Sequence, residues 1–244
     1  MTHEIQNFTF QNPTKILFGR NRIEDIDNEI PKDAKVLVLY GGGSVKKNGA
    51  FDRAVKALGN REWDEFSGIE ANPTFETLMK AVEKVRAENF TYLLAIGGGS
   101  VIDGTKFVSA ASLFTEDPVD LFGWGVGKGL PVQEVVPFGT ILTLPATGSE
   151  MNAGAVITLV EKKAKVSFRG PKTFPVFSVL EPELTYTLPV RQLVNGLLDT
   201  FIHVMENYLT YPVGALLQDR YAESILQTLI EIAPRVIDTD HIDY

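Results

Sequence analysis

The strongest chemical signal in the chain is Ala95-Ile96-Gly97-Gly98-Gly99-Ser100-Val101-Ile102-Asp103. Glycines that end a buried strand and open a helix let backbone N–H groups approach a phosphate closely, and the helix N-terminus adds a favourable field for the anion. Ser100 offers one more hydrogen bond. The plain alternative is a tight strand-to-helix turn capped by Ser100. Three consecutive glycines, however, cost conformational entropy that a mere turn does not require. Asp103 stands about one turn into the same helix, with Lys106 three residues on. Its carboxylate could hold a ribose, order the glycine loop, or simply interact with the helix dipole.

A second glycine turn is Gly41-Gly42-Gly43-Ser44-Val45-Lys46-Lys47. In many dinucleotide folds an acid at such a strand end binds the ribose 2′-hydroxyl. The sequence places no Asp or Glu beside this one. Gly41, Gly42, Gly43 and Ser44 leave room for a 2′-phosphate, and Ser44 and Lys46 suit its charge, which points to NADP(H) over NAD(H). A turn with a solvated lysine pair is the alternative. Thr143-Leu144-Pro145-Ala146-Thr147-Gly148-Ser149-Glu150 is dense in hydroxyls and small residues. It suits pyrophosphate or a substrate cleft, or equally a polar loop capped by its own side chains.

The last constellation is Asn195-Gly196-Leu197-Leu198-Asp199-Thr200-Phe201-Ile202-His203. Asp199 and His203 are i and i+4 and share one helix face, with Asn195 and Glu206 on the same stripe. A carboxylate and an imidazole on an otherwise apolar helix suit a divalent metal. Spacing alone equally allows an Asp–His pair buried in a helical core.

The elements that must position these residues follow from the pattern. Lys35–Tyr40 and Thr91–Ile96 are continuous apolar runs, as expected of strands buried on both faces, and each ends in three glycines. Helix-like stretches run from about Asn48 to Leu58 and from Thr74 to Glu88. Strand, glycines, helix, repeated, reads as a parallel α/β sheet. Val136–Pro145, Ala155–Val160 and Phe174–Leu180 are further strand candidates. From Pro189 the texture turns helical. Gln192–Leu209 is apolar nearly all round, which predicts a buried helix. Tyr211-Pro212 breaks it, and Leu217, Tyr221, Ile225, Leu229 and Ile232 then form one apolar stripe ending near Pro234. The expected division is an α/β nucleotide-binding domain over 1–188 and part of a helical domain over 189–244. Two helices enclose little core, so the second part reads as unfinished.

Bulk properties bound the partners. The formal net charge of −8 over 244 residues argues against nucleic acid and anionic membrane surfaces. Without cysteine, any metal must sit on His and carboxylate. Met1-Thr2-His3-Glu4 lacks a signal-peptide pattern, and no apolar run is long enough to span a bilayer, so a cytoplasmic protein is the expectation. The apolar stripes of the helical part point to a homo-oligomer, a dimer being the simplest form.

Taken together, Pro13–Gly19, Tyr40–Lys46, Gly97–Lys106, Leu144–Glu150 and Asn195–His203 resemble the iron-containing alcohol dehydrogenases, in particular their NADPH-dependent aldehyde reductases and butanol dehydrogenases. The resemblance covers most of the chain. It implies a Rossmann-like domain of the dehydroquinate synthase type followed by a helical domain, with the active site between them. It implies that Gly97, Gly98, Gly99 and Ser100 hold pyrophosphate, that Thr143 and Thr147 run along the cofactor, and that Ser149 and Lys165 line the cofactor or its ribose. Asp199 and His203 match the first two of four ligands to iron or zinc. The activity implied is hydride transfer between NADP(H) and a short-chain aldehyde or alcohol. The alternatives are a nucleotide-binding fragment or subunit without turnover, and a polyol dehydrogenase of the same superfamily. Relatives carry two further His ligands beyond the point where this chain stops. Here the histidines are His3, His203 and His241, so the expectation is a C-terminally shortened chain with half its metal sphere absent.

Overall fold

A computed structural model describes residues 7–212 and 214–238. The first strand is β1 (Lys15–Phe18), followed by the short helix α1 (Ile26–Glu29). Then come β2 (Val36–Tyr40), α2 (Ser44–Lys47), α3 (Ala50–Leu58), β3 (Trp63–Phe66), α4 (Phe75–Glu88), β4 (Tyr92–Gly98) and α5 (Gly99–Leu113). The chain continues through β5 (Phe138–Leu144), the hairpin β6 (Gly154–Leu159) and β7 (Ala164–Arg169), and β8 (Phe177–Leu180). It closes with α6 (Val190–Tyr208) and α7 (Leu216–Ile237).

Six strands form one sheet in the order β1-β8-β5-β4-β2-β3, every neighbour parallel. This is the expected α/β arrangement. All five residues of β2 are buried, as the continuous apolar run demands. Alternation across the pleat sends them to two cores. Leu37 and Leu39 join Leu78, Val82 and Phe107 of α4 and α5 on one face. Val36, Val38 and Tyr40 join Ile23, Ile26, Ala54 and Leu58 on the other. Helix α4 starts where Thr74 caps it by accepting the Thr77 N–H at 3.3 Å, and it stops at Asn89 in the left-handed region.

Strands β1, β3 and β7 have no counterpart among the apolar runs of the sequence. Two are sheet edges and the third belongs to a hairpin outside the sheet. All three are partly wet, so their sequences mix charge with apolar residues: Trp63-Asp64-Glu65-Phe66 and Ala164-Lys165-Val166-Ser167-Phe168-Arg169.

The helical part departs from expectation. The apolar composition of Gln192–Leu209 predicts burial, yet only Gly196 of α6 and Leu226 of α7 are buried. Leu198, Ile202, Leu216, Leu217, Tyr221 and Ile230 are each more than half exposed. The two helices pack on each other, and α6 touches the end of β5; among the described residues no third helix covers their outer faces. Helix α7 also runs past Pro234 to Ile237. No helix among the described residues is long and apolar enough to cross a membrane.

Candidate functional site

Parallel strands place both glycine turns at one edge of the sheet. Tyr40 pairs with Ile96, so Gly41 and Gly97 leave adjacent strands side by side. A Cβ on Gly97 would lie 2.6 Å from Val101 Cγ2, and one on Gly99 would lie 2.7 Å from Thr147 Oγ1. Side chains there would push the first turn of α5 away from the Thr147–Ser149 loop. No side chain caps α5, and Ser100 Oγ is turned aside to accept the Asn72 N–H at 3.3 Å. Gly99 and Ser100, at the uncapped start of the helix, border a cleft, and helix starts of this kind are where phosphates bind.

The opposite lip is held by buried polar contacts. Lys106, fully buried, donates to Asn152 Oδ1 at 2.9 Å and to the Gly154 carbonyl at 2.7 Å. Asn152 in turn donates to the Gly148 carbonyl at 2.9 Å. Thr147 Oγ1 and Ser149 Oγ are 2.7 Å apart, one hydroxyl donating to the other. Asp103 Oδ2 accepts the Val156 N–H at 3.0 Å, while its buried Oδ1 has no hydrogen-bond partner and lies 3.6 Å from Lys106 Nζ. Burial pushes the Asp103 carboxyl above its ordinary range, against the pull of Lys106. Burial draws the Lys106 ammonium down to about 8, against the opposing attraction of Asp103.

Between these lips lies a cleft of about 950 Å³, bordered by Gly99, Ser100, Asp103, Thr147, Ser149 and Lys165 and reached by Asp199 and His203 of α6. Helix α6 sits close because it has no side chain at Gly196, where a Cβ would be 2.7 Å from the Pro145 carbonyl oxygen. Thr200 Oγ1 donates to the carbonyls of Ala146, at 3.3 Å, and Gly196, at 2.8 Å. Asp199 Oδ2 and His203 Nε2 are 3.7 Å apart and about half exposed, not the buried pair that spacing alone allows. Two ligand atoms each about 2.1 Å from a cation can be up to about 4.2 Å apart, so the pair fits two positions of one coordination sphere. Glu206 Oε2 stands 3.8 Å from His203 Nδ1, outside hydrogen-bond reach. Among the described residues no third His, Asp or Glu completes a cluster; His3 and His241 lie outside them.

Residues 13–182, which carry the sheet and both glycine turns, match the iron-containing alcohol dehydrogenases. This chain belongs to that family. It is 50% identical over 96% of its length to the NADPH-dependent aldehyde reductase YqhD of Escherichia coli. It is 42% identical, again over 96%, to the probable NADH-dependent butanol dehydrogenase 1 of Bacillus subtilis. The chain spans 60% of the length of each. The crystal structure of E. coli YqhD superposes with a TM-score of 0.91 at 49% identity, covering 96% of this chain and 60% of that one. An NADH-dependent butanol dehydrogenase A from Thermotoga maritima gives a TM-score of 0.89 at 38% identity, covering 97% and 59%.

Against that family background, the first glycine turn holds a surprise. A carboxylate does stand beside it, supplied by the neighbouring strand. Lys46 Nζ is 2.7 Å from Glu65 Oε2, which also accepts the Tyr40 hydroxyl at 2.9 Å. The ammonium lies over the Tyr40 and Phe51 rings. The hydrogen bond from Lys46 holds the Glu65 carboxyl below its ordinary range, and Glu65 raises Lys46 in return. Lys46 is therefore neutralised in place, while the exposed Lys47 makes no ion pair among the described residues. Gly41, Gly42, Gly43, Ser44 and Lys46 border neither of the recesses that contain Gly99. Thr143, at the end of β5, also stands outside them.

Glu65, Asn72, Trp124 and Asn152 escaped the sequence reading. Glu65 and Asn152 act across strands or loops distant in sequence. Asn72 has φ +62 and accepts from Lys165 Nζ at 2.7 Å; the turn signal Asn72-Pro73 was its one local sign.

Proposed function

We propose that this chain carries the nucleotide-binding part and the first two cation ligands of an NADP(H)-linked, metal-containing aldehyde reductase. The division falls near Pro189, between residues 1–188 for nucleotide and 189–244 for the start of a helical metal domain. The observation that carries the reading is convergence: the uncapped start of α5, the Thr147–Ser149 loop and the Asp199–His203 pair border one cleft.

In this reading the N–H groups of Gly99 and Ser100 hold pyrophosphate, and the Thr147–Ser149 hydroxyl pair flanks it. Lys165, fixed by Asn72, hydrogen-bonds a ribose hydroxyl. Asp103, tied to β6, holds the glycine turn in register with the hairpin. Gly42, Ser44 and Lys47 leave room and charge for a 2′-phosphate, with Lys46 released from Glu65 to join them. Asp199 and His203 hold two positions of an iron or zinc ion. When bound, such a cation supplies Lewis-acid polarisation of an aldehyde oxygen, and the nicotinamide supplies the hydride.

The second reading is a nucleotide-binding chain without turnover. It is favoured by the two-ligand cation pair and by the uncovered faces of α6 and α7, since a carbonyl must be held to about 1 Å in a water-excluding cleft. One experiment separates the two. NADP(H) and NAD(H) are titrated into the chain by calorimetry, and NADPH oxidation is followed with butanal and added zinc or ferrous iron. Binding with at least about a tenfold preference for NADP(H) supports the cofactor assignment. Turnover that His203→Ala abolishes supports the reductase, and binding without turnover supports the second reading. Absence of nucleotide binding removes both.

A further inference from the structure

Trp124 is the more exposed of the chain's two tryptophans. Its relative exposure is 89%, and it borders the same cleft as Gly99, Ser100 and Lys165. Its backbone has φ +57, followed by Gly125 at φ +78, and the Val126 N–H closes the turn on the Gly123 carbonyl at 3.1 Å. Two positive-φ central residues define a primed turn, where Gly, Asn and Asp are the favoured occupants. A bulky residue in that region is a real outlier, and an indole in water gains nothing from burial to offset it.

The loop beneath is firmly braced. Phe122 is buried in an aromatic cluster, stacked on Phe107 at 5.7 Å and edge-on to Phe168 at 5.8 Å. The Gly129 N–H donates to the Phe122 carbonyl at 2.9 Å and the Leu130 N–H to that of Asp120 at 2.7 Å. Lys128 pairs with Asp120 at 2.6 Å, and Lys162, at the tip of the β6–β7 hairpin, donates to the Val126 carbonyl at 2.6 Å. At Gly127 a Cβ would fall 2.1 Å from the Val119 carbonyl oxygen, so the chain is drawn tight there. The scaffold is rigid, the tip is strained, and the side chain at the tip is held out over the cleft.

We propose that Trp124 is a ring-stacking residue whose preset indole face takes the planar N-heteroaromatic ring of a dinucleotide lying over the Gly98–Ser100 turn. Strain of this kind persists where the surroundings enforce it, and binding sites are where it collects. An aromatic face is worth holding out when a second ring completes the stack. The inference rests on the proposed nucleotide reading of the cleft. The ring belongs either to nicotinamide or to adenine.

The test uses the 244-residue chain with Trp63→Phe, which leaves Trp124 as the sole tryptophan. NADP⁺, nicotinamide mononucleotide and adenosine 2′,5′-bisphosphate are titrated separately, with indole emission and calorimetric affinity both read. Quenching by the mononucleotide assigns the stack to nicotinamide, and quenching by the bisphosphate assigns it to adenine. Trp124→Gly should weaken NADP⁺ binding about fivefold while leaving the melting temperature equal or higher, because glycine relieves the positive φ. Trp124→Phe should recover most of the affinity. A purely structural tryptophan predicts the reverse, lower melting temperature and unchanged affinity, and that result overturns the proposal. Unchanged NADP⁺ affinity in Trp124→Gly overturns it while leaving the nucleotide reading intact. No NADP⁺ binding by the parent chain overturns both.

Discussion

The sheet and the helix pair are built from similarly apolar sequence, yet they sit in different physical states. In the sheet, β2 and β4 are covered on both faces by helices of the same chain. In the helix pair, α6 and α7 cover one stripe of each other and leave Leu198, Ile202, Leu217, Tyr221 and Ile230 in water. Apolar sequence specifies what a segment can bury, and partners decide whether it does. The cleft lies on the seam between these two states. Its glycine-turn side is fixed by a finished core, and its Asp199–His203 side is carried on a helix that meets the Pro145–Ala146 segment at Gly196 and Thr200.

Four measurements would break or sharpen this contrast. The largest effect should come from Phe107→Ala, which empties the centre of the aromatic cluster on the sheet: a loss of about 3–5 kcal/mol by denaturant titration, against about 0.5 kcal/mol for Ile225→Ala on α7. Equal losses would mean that the helix pair shares the cooperative core. Next, Gly99→Ala drives a methyl into Thr147 and should lower NADP(H) affinity by roughly tenfold, on the order of 1.4 kcal/mol, with little change in melting temperature. An unchanged affinity would separate the glycine turn from the nucleotide.

The third measurement concerns pH. Lys106 titrates at about 8 in the folded chain, below its ordinary 10.5. Between those values the unfolded chain binds more protons, so Lys106 makes stability rise with pH across that window. Lys106→Met should remove that rise, seen as the difference between the two chains' stability curves. Asp103 works in the other direction. Its folded pKa lies above 3.8, so its contribution falls as pH increases just above that value. The smallest effect should come from Leu217→Glu. It should reduce binding of an apolar dye and any self-association, and shift stability by no more than about 0.5 kcal/mol. A large destabilisation would show that Leu217 is covered in solution.

The parts of the fold legible in the sequence were those where one cause dominates. Two-sided burial made β2 and β4 continuous apolar runs, and the glycines after them could be read directly as turns. Edge strand β3 was not legible because Asp64 and Glu65 are paid for by solvent and by Lys84 and Lys46. That same strand hid the acid beside the first glycine turn, since Glu65 reaches Tyr40 only through strand pairing. Spacing brought Asp199 and His203 to one helix face, but burial is a property of neighbours and could not be read from the helix itself. Trp124 had no periodic context at all; its significance lies in a dihedral angle.

The order of the sheet also sets a schedule. Among the described residues, strand β1 pairs only with β8, Phe18 opposite Leu180. The buried Glu181 then receives the N–H groups of Arg22 and Ile23 and the guanidinium of Arg53. On a ribosome, the first strand must wait for the last. At about 5–20 residues per second, that wait is roughly 10–30 s, during which β1 has no partner strand to pair with. Its brevity and its Lys15 suit that interval, because a short, charged strand is a poor template for the wrong neighbour.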